Sequence, residues 1–466
     1  MSRLLILGAS VALSATAPAA LAMQCGTPDI QPRMGDPVAG LSQAELDRFE
    51  AGAVVFGTPL TLAEGLGPIF NDVSCGACHS QPTLGGFSTF AVTRFGVAAA
   101  GGNPFDPLAS LGGSLLQLQA TDVICQEVVP VQADVVIQRL TPICNGLGLV
   151  ESIVDADILD RETNPPAGVS GLSKSVQPLE GGAMRLARFG WKGDVATAFT
   201  FSADAGLNEI GLTSTFLPVD NAPNGDTVLR DMCDTAADPE DFADGMGFTK
   251  LDRFTDFQRF LAQPPQTPKT GMTGESRFNS IGCAACHVST TYTTGVVAEA
   301  ALSGVDIKPY SDYLLHDMGS LGDGIVSGIA TETEMMTRTL WGLAFRTSLL
   351  HDGRATGGTF ADNIRSSIAS HDGEALASSV AFAALTVPQQ DQVIDFLQSL
   401  GQAEFDWERD NDVDEFDWFF LEPELTGPVG SLTPDDRASV ADIDVDDDFD
   451  MVDFAALQRA FSGNLF

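Results

Sequence analysis

The chain has 466 residues, is 44% hydrophobic and carries a formal net charge of −39, from 63 acidic against 24 basic residues. Its length calls for two or three domains, with ample apolar material for their cores. So negative a surface excludes nucleic acid and anionic membrane as partners, because like charges repel, and it suits a basic partner or salty surroundings.

In chain order, Met1–Ala22 reads as a secretory signal peptide. Arg3 supplies the positive start, residues 4–22 hold no charge, and Ala20-Leu21-Ala22 has the small-x-small form of a cleavage site. Gly8, Ser14 and Pro18 interrupt the segment and argue against a membrane anchor, and Gln24 rather than a lipobox precedes Cys25. No later stretch is long and apolar enough to span a bilayer. The expected product is exported, to the periplasm or to the cell surface and beyond.

Leu41–Gly57 predicts a helix. Leu41, Leu46, Phe49 and Val54 recur at roughly helical spacing, and Ser42 precedes the acids of a first turn. Cys75-Gly76-Ala77-Cys78-His79 follows. C-x-x-C-H is the form of a c-type haem attachment site: two thiols one turn apart can each form a thioether, and the histidine then sits beneath the iron. The same form recurs at Cys283-Ala284-Ala285-Cys286-His287. A four-thiolate zinc site would make the two histidines coincidental. A redox dithiol would need a βαβ setting that neither motif has. Two covalent haems are therefore expected, on Cys75, Cys78, Cys283 and Cys286, with His79 and His287 as iron ligands. Ser80–Gly96 contains no histidine, which leaves the first iron without an obvious sixth ligand.

From about 98 to 180 the chain is dense in Gly and Pro with short β-like runs such as Val128–Val136, and reads as an irregular insertion in the first haem domain. Thr249–Leu261 predicts an amphipathic helix, with Leu251, Phe254, Phe257, Phe260 and Leu261 on one side, and Pro-rich 263–268 marks a boundary. Residues 274–400 form the second haem unit, closed by a helix over Val387–Leu400. Of five histidines, the three outside the motifs, His316, His351 and His371, all follow His287. For His316 and His351, a bond to a propionate or to another group beside the haem is as good a reading as ligation. Met318 is a rival sixth ligand, since Met also ligates haem c. The four cysteines not spent on haem, Cys25, Cys125, Cys144 and Cys233, suit two disulfides in an oxidising compartment. Three pairings are open, and Cys125–Cys144 is the most local.

The motifs Leu-Leu-His316-Asp-Met-Gly, Leu-Trp341-Gly, Leu-His351-Asp-Gly-Arg-Ala and His371-Asp-Gly-Glu-Ala together resemble those of the bacterial di-haem oxidoreductases. These are related to the di-haem cytochrome c peroxidases and to the di-haem enzyme that matures methylamine dehydrogenase. The resemblance covers roughly residues 40–400. It implies a mainly α fold of two cytochrome c-like domains with facing haems, one passing electrons and one meeting substrate. It implies His371 as sixth ligand of the electron-transfer haem, Trp191 between the haems, and Glu209 as the distal carboxylate.

After residue 400 the chain changes character. Asp406, Glu408, Asp410, Asp412, Asp414 and Asp417 occupy positions 1, 3, 5, 7, 9 and 12 of a loop, and Asp442, Asp444, Asp446, Asp448, Asp450 and Asp453 repeat them. Oxygen ligands at this spacing suit calcium. Position 6 is Asn411 and Asp447 rather than Gly, both residues that tolerate a left-handed turn. Phe454, Leu457, Ala460 and Phe461 make an apolar helix face. The pair resembles a dockerin-type calcium repeat, which implies a surface partner; a solvated acidic tail is the plainer reading.

The expected divisions are a signal peptide (1–22), an N-terminal haem domain (23–264, with its insertion), a C-terminal haem domain (265–400) and a calcium module (401–466). The expected function is oxidation chemistry at an open haem, with hydrogen peroxide as oxidant and electrons from an external donor. The alternative is an electron carrier with both irons six-coordinate. An adhesive or structural role would fit only the tail.

Overall fold

The computed structural model describes residues 29–101 and 103–462; the signal peptide and Cys25 lie outside them. The helix Gln43–Gly57 starts at a capping box, in which Ser42 and Glu45 satisfy each other's backbone N–H groups. Its buried face, Phe49, Gly52 and Phe56, meets the helix Lys250–Phe260, where Phe257 lies 5.3 Å from the Phe49 ring and 4.8 Å from that of Phe56. The crossing is close because residue 52 is glycine: a Cβ there would stand 2.5 Å from the Arg253 carbonyl oxygen. The same plan recurs in the second unit. Thr273–Ser280, which precedes the second motif, crosses Val387–Ser399 at Gly274, where a Cβ would stand 1.8 Å from the Gln392 carbonyl oxygen. Each motif thus follows a helix locked against the helix that closes its unit.

Helices dominate and the sheets are small. The largest has three antiparallel strands, with Ala91–Gly96 between Leu115–Leu116 and Val135–Leu140. The β-like run expected at Val128–Val136 begins as a strand only at Val135, because Pro130 opens a turn closed by Ala133 N–H to its carbonyl. The expected irregular insertion also contains the helices Leu147–Glu151 and Asp155–Thr163. The local Cys125–Cys144 pairing does not form: Cys125 bonds Cys233, and Cys144 is a buried free thiol.

Three apolar clusters organise the chain. The first spans residues 38–262 and also takes in Tyr292, Tyr313, Leu314 and Trp341 from beyond 264, so the two units share packing. The second is built from residues between Met272 and Leu400. The third is confined to the tail, around Phe405, Val413, Leu421, Val440, Phe449 and Leu457. Among the described residues no helix is long and apolar enough to cross a membrane.

Candidate functional site

Each C-x-x-C-H motif lines its own cavity. In the first, Cys75 and Cys78 bracket a single helical turn capped by Ser74, whose hydroxyl accepts from Ala77 N–H. His79 Nδ1 donates to the Gly86 carbonyl at 3.1 Å. In the second, His287 Nδ1 donates to the Tyr310 carbonyl at 3.0 Å. A ring nitrogen spent on a carbonyl fixes the tautomer and frees Nε2 as the ligating atom. Burial lowers the pKa of both rings to about 4, so both are neutral, the form that binds a metal.

The first cavity is lined by a half-buried carboxylate. Glu209 sits in the last turn of the helix Ala198–Ile210, which starts on the Thr197 cap. Its Oε2 accepts from Asn71 Nδ2 at 2.6 Å, and Asn71 is itself oriented by Leu118 N–H donating to its Oδ1. Burial raises the Glu209 pKa, opposed by the Asn71 bond and by Arg94. Arg94 and Arg139 also line this cavity. Arg139 is paired to Asp323 at 2.6 Å, whereas Arg94 is half-buried, forms no ion pair and keeps its Nε unbonded. Among the described residues, His79 is the one imidazole lining this cavity, and no methionine lines it. Cys144 Sγ lies 3.3 Å from His79 Nδ1, against the back of the ring.

The second cavity is rich in nitrogen and sulfur. His287, His316, His351, His371, Met318, Met335 and Met336 all line it. His371 Nδ1 donates to the Ser367 carbonyl at 2.8 Å, which again leaves Nε2 free. His316 is engaged at both nitrogens, by Glu374 at Nδ1 and Asp312 at Nε2, each 2.9 Å away. Burial alone would lower its pKa, but Asp312 and the other acceptors around it outweigh burial and carry it up to about 11. With both ring nitrogens held by carboxylates, neither is free to ligate. Arg338 and Arg346 line the same cavity; they bond backbone carbonyls and lie over the rings of Trp191 and Phe87 respectively.

Trp191 lines both cavities. Its indole donates to the Leu140 carbonyl at 3.2 Å, and its ring lies 6.1 Å from that of His351. The next residue anchors it: Lys192 Nζ is 3.0 Å from Asp323, which is fully buried and also holds Arg139.

These residues fit haem. Two thiols and a neutral, pre-oriented imidazole stand at each cavity. Half-buried guanidiniums that form no ion pair, Arg94 in one and Arg338 and Arg346 in the other, match carboxylate groups brought by a ligand. The sequence reading missed these arginines and Asn71, and assigned Cys144 to a disulfide rather than to a place beside His79. An arginine in a chain so acidic looks paired until the fold places no acid beside it.

In the tail, both loops adopt the same path. Asp406 accepts from the N–H groups of Arg409, Asp410 and Asn411, and Asp442 from those of Asp446 and Asp447. Asn411 and Asp447 have φ of 77° and 68°, the left-handed turn expected at position 6. Position 9 caps a helix in both repeats, Asp414 for Glu415–Leu421 and Asp450 for Met451–Ala460. Position 12 binds back to its own loop, Asp417 to Trp407 N–H and Asp453 to Ile443 N–H. Glu408, Asp414 and Asp417 come within 4.8 Å of one another, as do Asp442, Asp444 and Asp453. At position 7 of each loop, Asp412 and Asp448 keep one buried oxygen with no hydrogen-bond donor. Such an arrangement fits a cation, because buried carboxylate oxygens otherwise repel one another uncompensated. Asp410 and Asp446 complete the repeated set.

A family profile described as "Di-haem oxidoreductase, putative peroxidase" matches residues 127–400, more than half of the chain. No curated protein matches. Among solved structures, hydrazine synthase from Kuenenia stuttgartiensis, pressurised with 20 bar xenon, aligns at 13% identity over 84% of this chain and 100% of that one. Its TM-score of 0.30 is too low to carry an argument.

Proposed function

Because the chain belongs to the di-haem oxidoreductase family, we propose that it is an exported c-type enzyme that reduces hydrogen peroxide at the cavity of Cys75, Cys78 and His79. Cys283, Cys286 and His287 would hold the second haem, with His371 as its sixth ligand. When bound, haem supplies a redox iron that can take peroxide at a free sixth position and exchange electrons.

The observation that carries this reading is Glu209, a half-buried carboxylate that lines a cavity offering one imidazole. Reducing peroxide to two waters consumes two electrons and two protons, so it needs a group that moves a proton between the two peroxide oxygens. Asn71 holds Oε2 of Glu209, which leaves Oε1 as the exchanging atom. The raised pKa brings the carboxyl nearer the working pH, where it can both take and return a proton. Electrons from an external donor would enter at the second cavity and cross at Trp191. Retention of a disulfide at Cys125–Cys233 supports an oxidising compartment, in keeping with the signal peptide.

Glu209→Gln should lower peroxide turnover roughly a hundredfold or more, the usual scale for losing an acid–base group, while intact mass still shows two haems. Full activity in the variant removes Glu209 from the mechanism. Wild-type turnover no better than free haem favours the electron carrier instead.

The tail we read as two calcium sites. Asp406, Glu408, Asp410, Asp414 and Asp417, with the orphaned oxygen of Asp412 beside them, supply the first. Asp442, Asp444, Asp446, Asp448, Asp450 and Asp453 supply the second. In the full chain, calcium should raise the melting temperature and a chelator should reverse it. No shift at millimolar calcium rejects the sites.

A further inference from the structure

A second acidic cluster lies far from the tail in sequence. Asp220, Asp234, Asp238 and Glu240 each bring a carboxylate oxygen within 4.8 Å of the others. All four belong to the segment between the helix that carries Glu209 and the helix Lys250–Phe260. Asp220 is 4% exposed, and neither of its oxygens meets a hydrogen-bond donor. Among the described residues no lysine or arginine forms an ion pair with any of the four. The donors present are few and go to its neighbours: Thr213 Oγ1 bonds Asp238 at 3.2 Å and also reaches Glu240, and Thr213 N–H bonds Glu240 at 3.2 Å.

We propose that these four carboxylates form a calcium site in the first haem unit. Asp220 carries the argument. A carboxylate buried with both oxygens unbonded is among the costliest groups a fold can hold, and it survives only if a proton or a cation meets it. A proton would quench one charge and leave three carboxylates crowded around it. A divalent cation neutralises two and accepts an oxygen from every member. The donor set has oxygen and neither nitrogen nor sulfur, which selects a hard cation. The ligands come from irregular loops, which suits the flexible coordination of calcium better than the strict octahedron of magnesium. Mutual separations of no more than 4.8 Å fit ligands around one ion at about 2.3–2.6 Å each.

The site also has a structural place. Asp234 follows Cys233, the residue bonded to Cys125, and Asp220 packs beside Gly67, whose N–H bonds the Ile210 carbonyl next to Glu209. A bound ion would tie both ends of segment 220–240 to the turn that closes the Glu209 helix. This inference is independent of the haem assignment and of the tail.

The test is calcium stoichiometry of the full-length holoprotein, stripped with chelator and reloaded with calcium alone, read by native mass spectrometry. Asp220→Asn should hold one ion fewer than the wild type, and its calcium-dependent rise in melting temperature should shrink. Asp238→Asn, at an exposed ligand and so a safer fold, should lose the same ion. Combining Asp220→Asn with Asp417→Asn and Asp453→Asn should remove one ion beyond those lost from the tail. If both single variants keep the wild-type count, and Asp220→Asn melts higher than wild type with or without calcium, the cluster is neutralised by protons and the site does not exist.

Discussion

A histidine ligates through one nitrogen, so the bond made by the other decides what each ring can do. His79, His287 and His371 all give Nδ1 to a backbone carbonyl and keep Nε2. His316 keeps neither. Accordingly, His371→Ala should convert the second haem from low to high spin in the paramagnetic resonance spectrum of the oxidised protein. Met318→Ala should leave the spectrum alone, and the reverse result would transfer the ligand role to Met318. His316 makes a different prediction. Its pKa is raised from 6.5 to about 11, so its contribution to stability is complete below pH 6.5 and is lost as pH rises toward 11. Its partner Glu374 is pulled down from 4.5 to about 2 despite burial, through bonds from Ser170 and His316, so its contribution is complete above pH 4.5 and lost toward pH 2. The melting-temperature gap between wild type and His316→Gln should therefore be widest between about pH 4.5 and 6.5 and narrow on either side. A gap constant from pH 3 to 9 would mean that the ring acts by packing alone.

At the scale of elements, the segment around Trp191 joins the two haem units. Asp323 grips Arg139 on the strand Val135–Leu140 and Lys192 beside the tryptophan, while Lys192 Nζ also bonds the carbonyls of Thr331 and Glu334. The three charges are buried, so removing the shared anion strands two cations. Asp323→Asn should cost roughly 3–5 kcal/mol in denaturant unfolding, the scale for breaking a buried ion pair. A loss below about 1 kcal/mol would mean that water reaches the cluster. Trp191→Phe should leave both haems attached and slow electron transfer between them in stopped-flow reduction; an unchanged rate would place the path elsewhere. The strand also shows how an insertion becomes part of a site. Leu140 receives the Trp191 indole and Cys144 backs His79, although this stretch reads in sequence as decoration.

At the scale of the molecule, the net charge of −39 is a standing cost of folding, because compaction brings like charges together. Raising sodium chloride from roughly 0.01 to 0.5 M shortens the Debye length from about 30 Å to a few ångströms. The melting temperature should rise with it, most in chelator, where the clustered carboxylates of the tail and of residues 220–240 are uncompensated. A melting temperature that falls with salt would show that attractive ion pairs outweigh the repulsion.

Both C-x-x-C-H motifs, the helices over Leu41–Gly57, Thr249–Leu261 and Val387–Leu400, and the two acid-lined tail loops were legible in the order of residues, whereas the helix Thr273–Ser280 before the second motif was not. Their signals are local: thiol and imidazole spacing, apolar period, capping residues, and six acids repeated at the same six positions. Even the left-handed turns at Asn411 and Asp447 follow from which side chains tolerate positive φ. Tertiary structure alone decided the rest, because it turns on which groups end up without a partner. Only the fold pairs Cys125 with Cys233 and leaves Cys144 behind His79. Only the fold closes Glu374 onto His316 and leaves Arg94 Nε and both Asp220 oxygens without a hydrogen bond. The charge of a residue is written in the chain, but whether that charge is answered depends on which groups the fold brings beside it, as Arg139 and Asp323 meet across 184 residues.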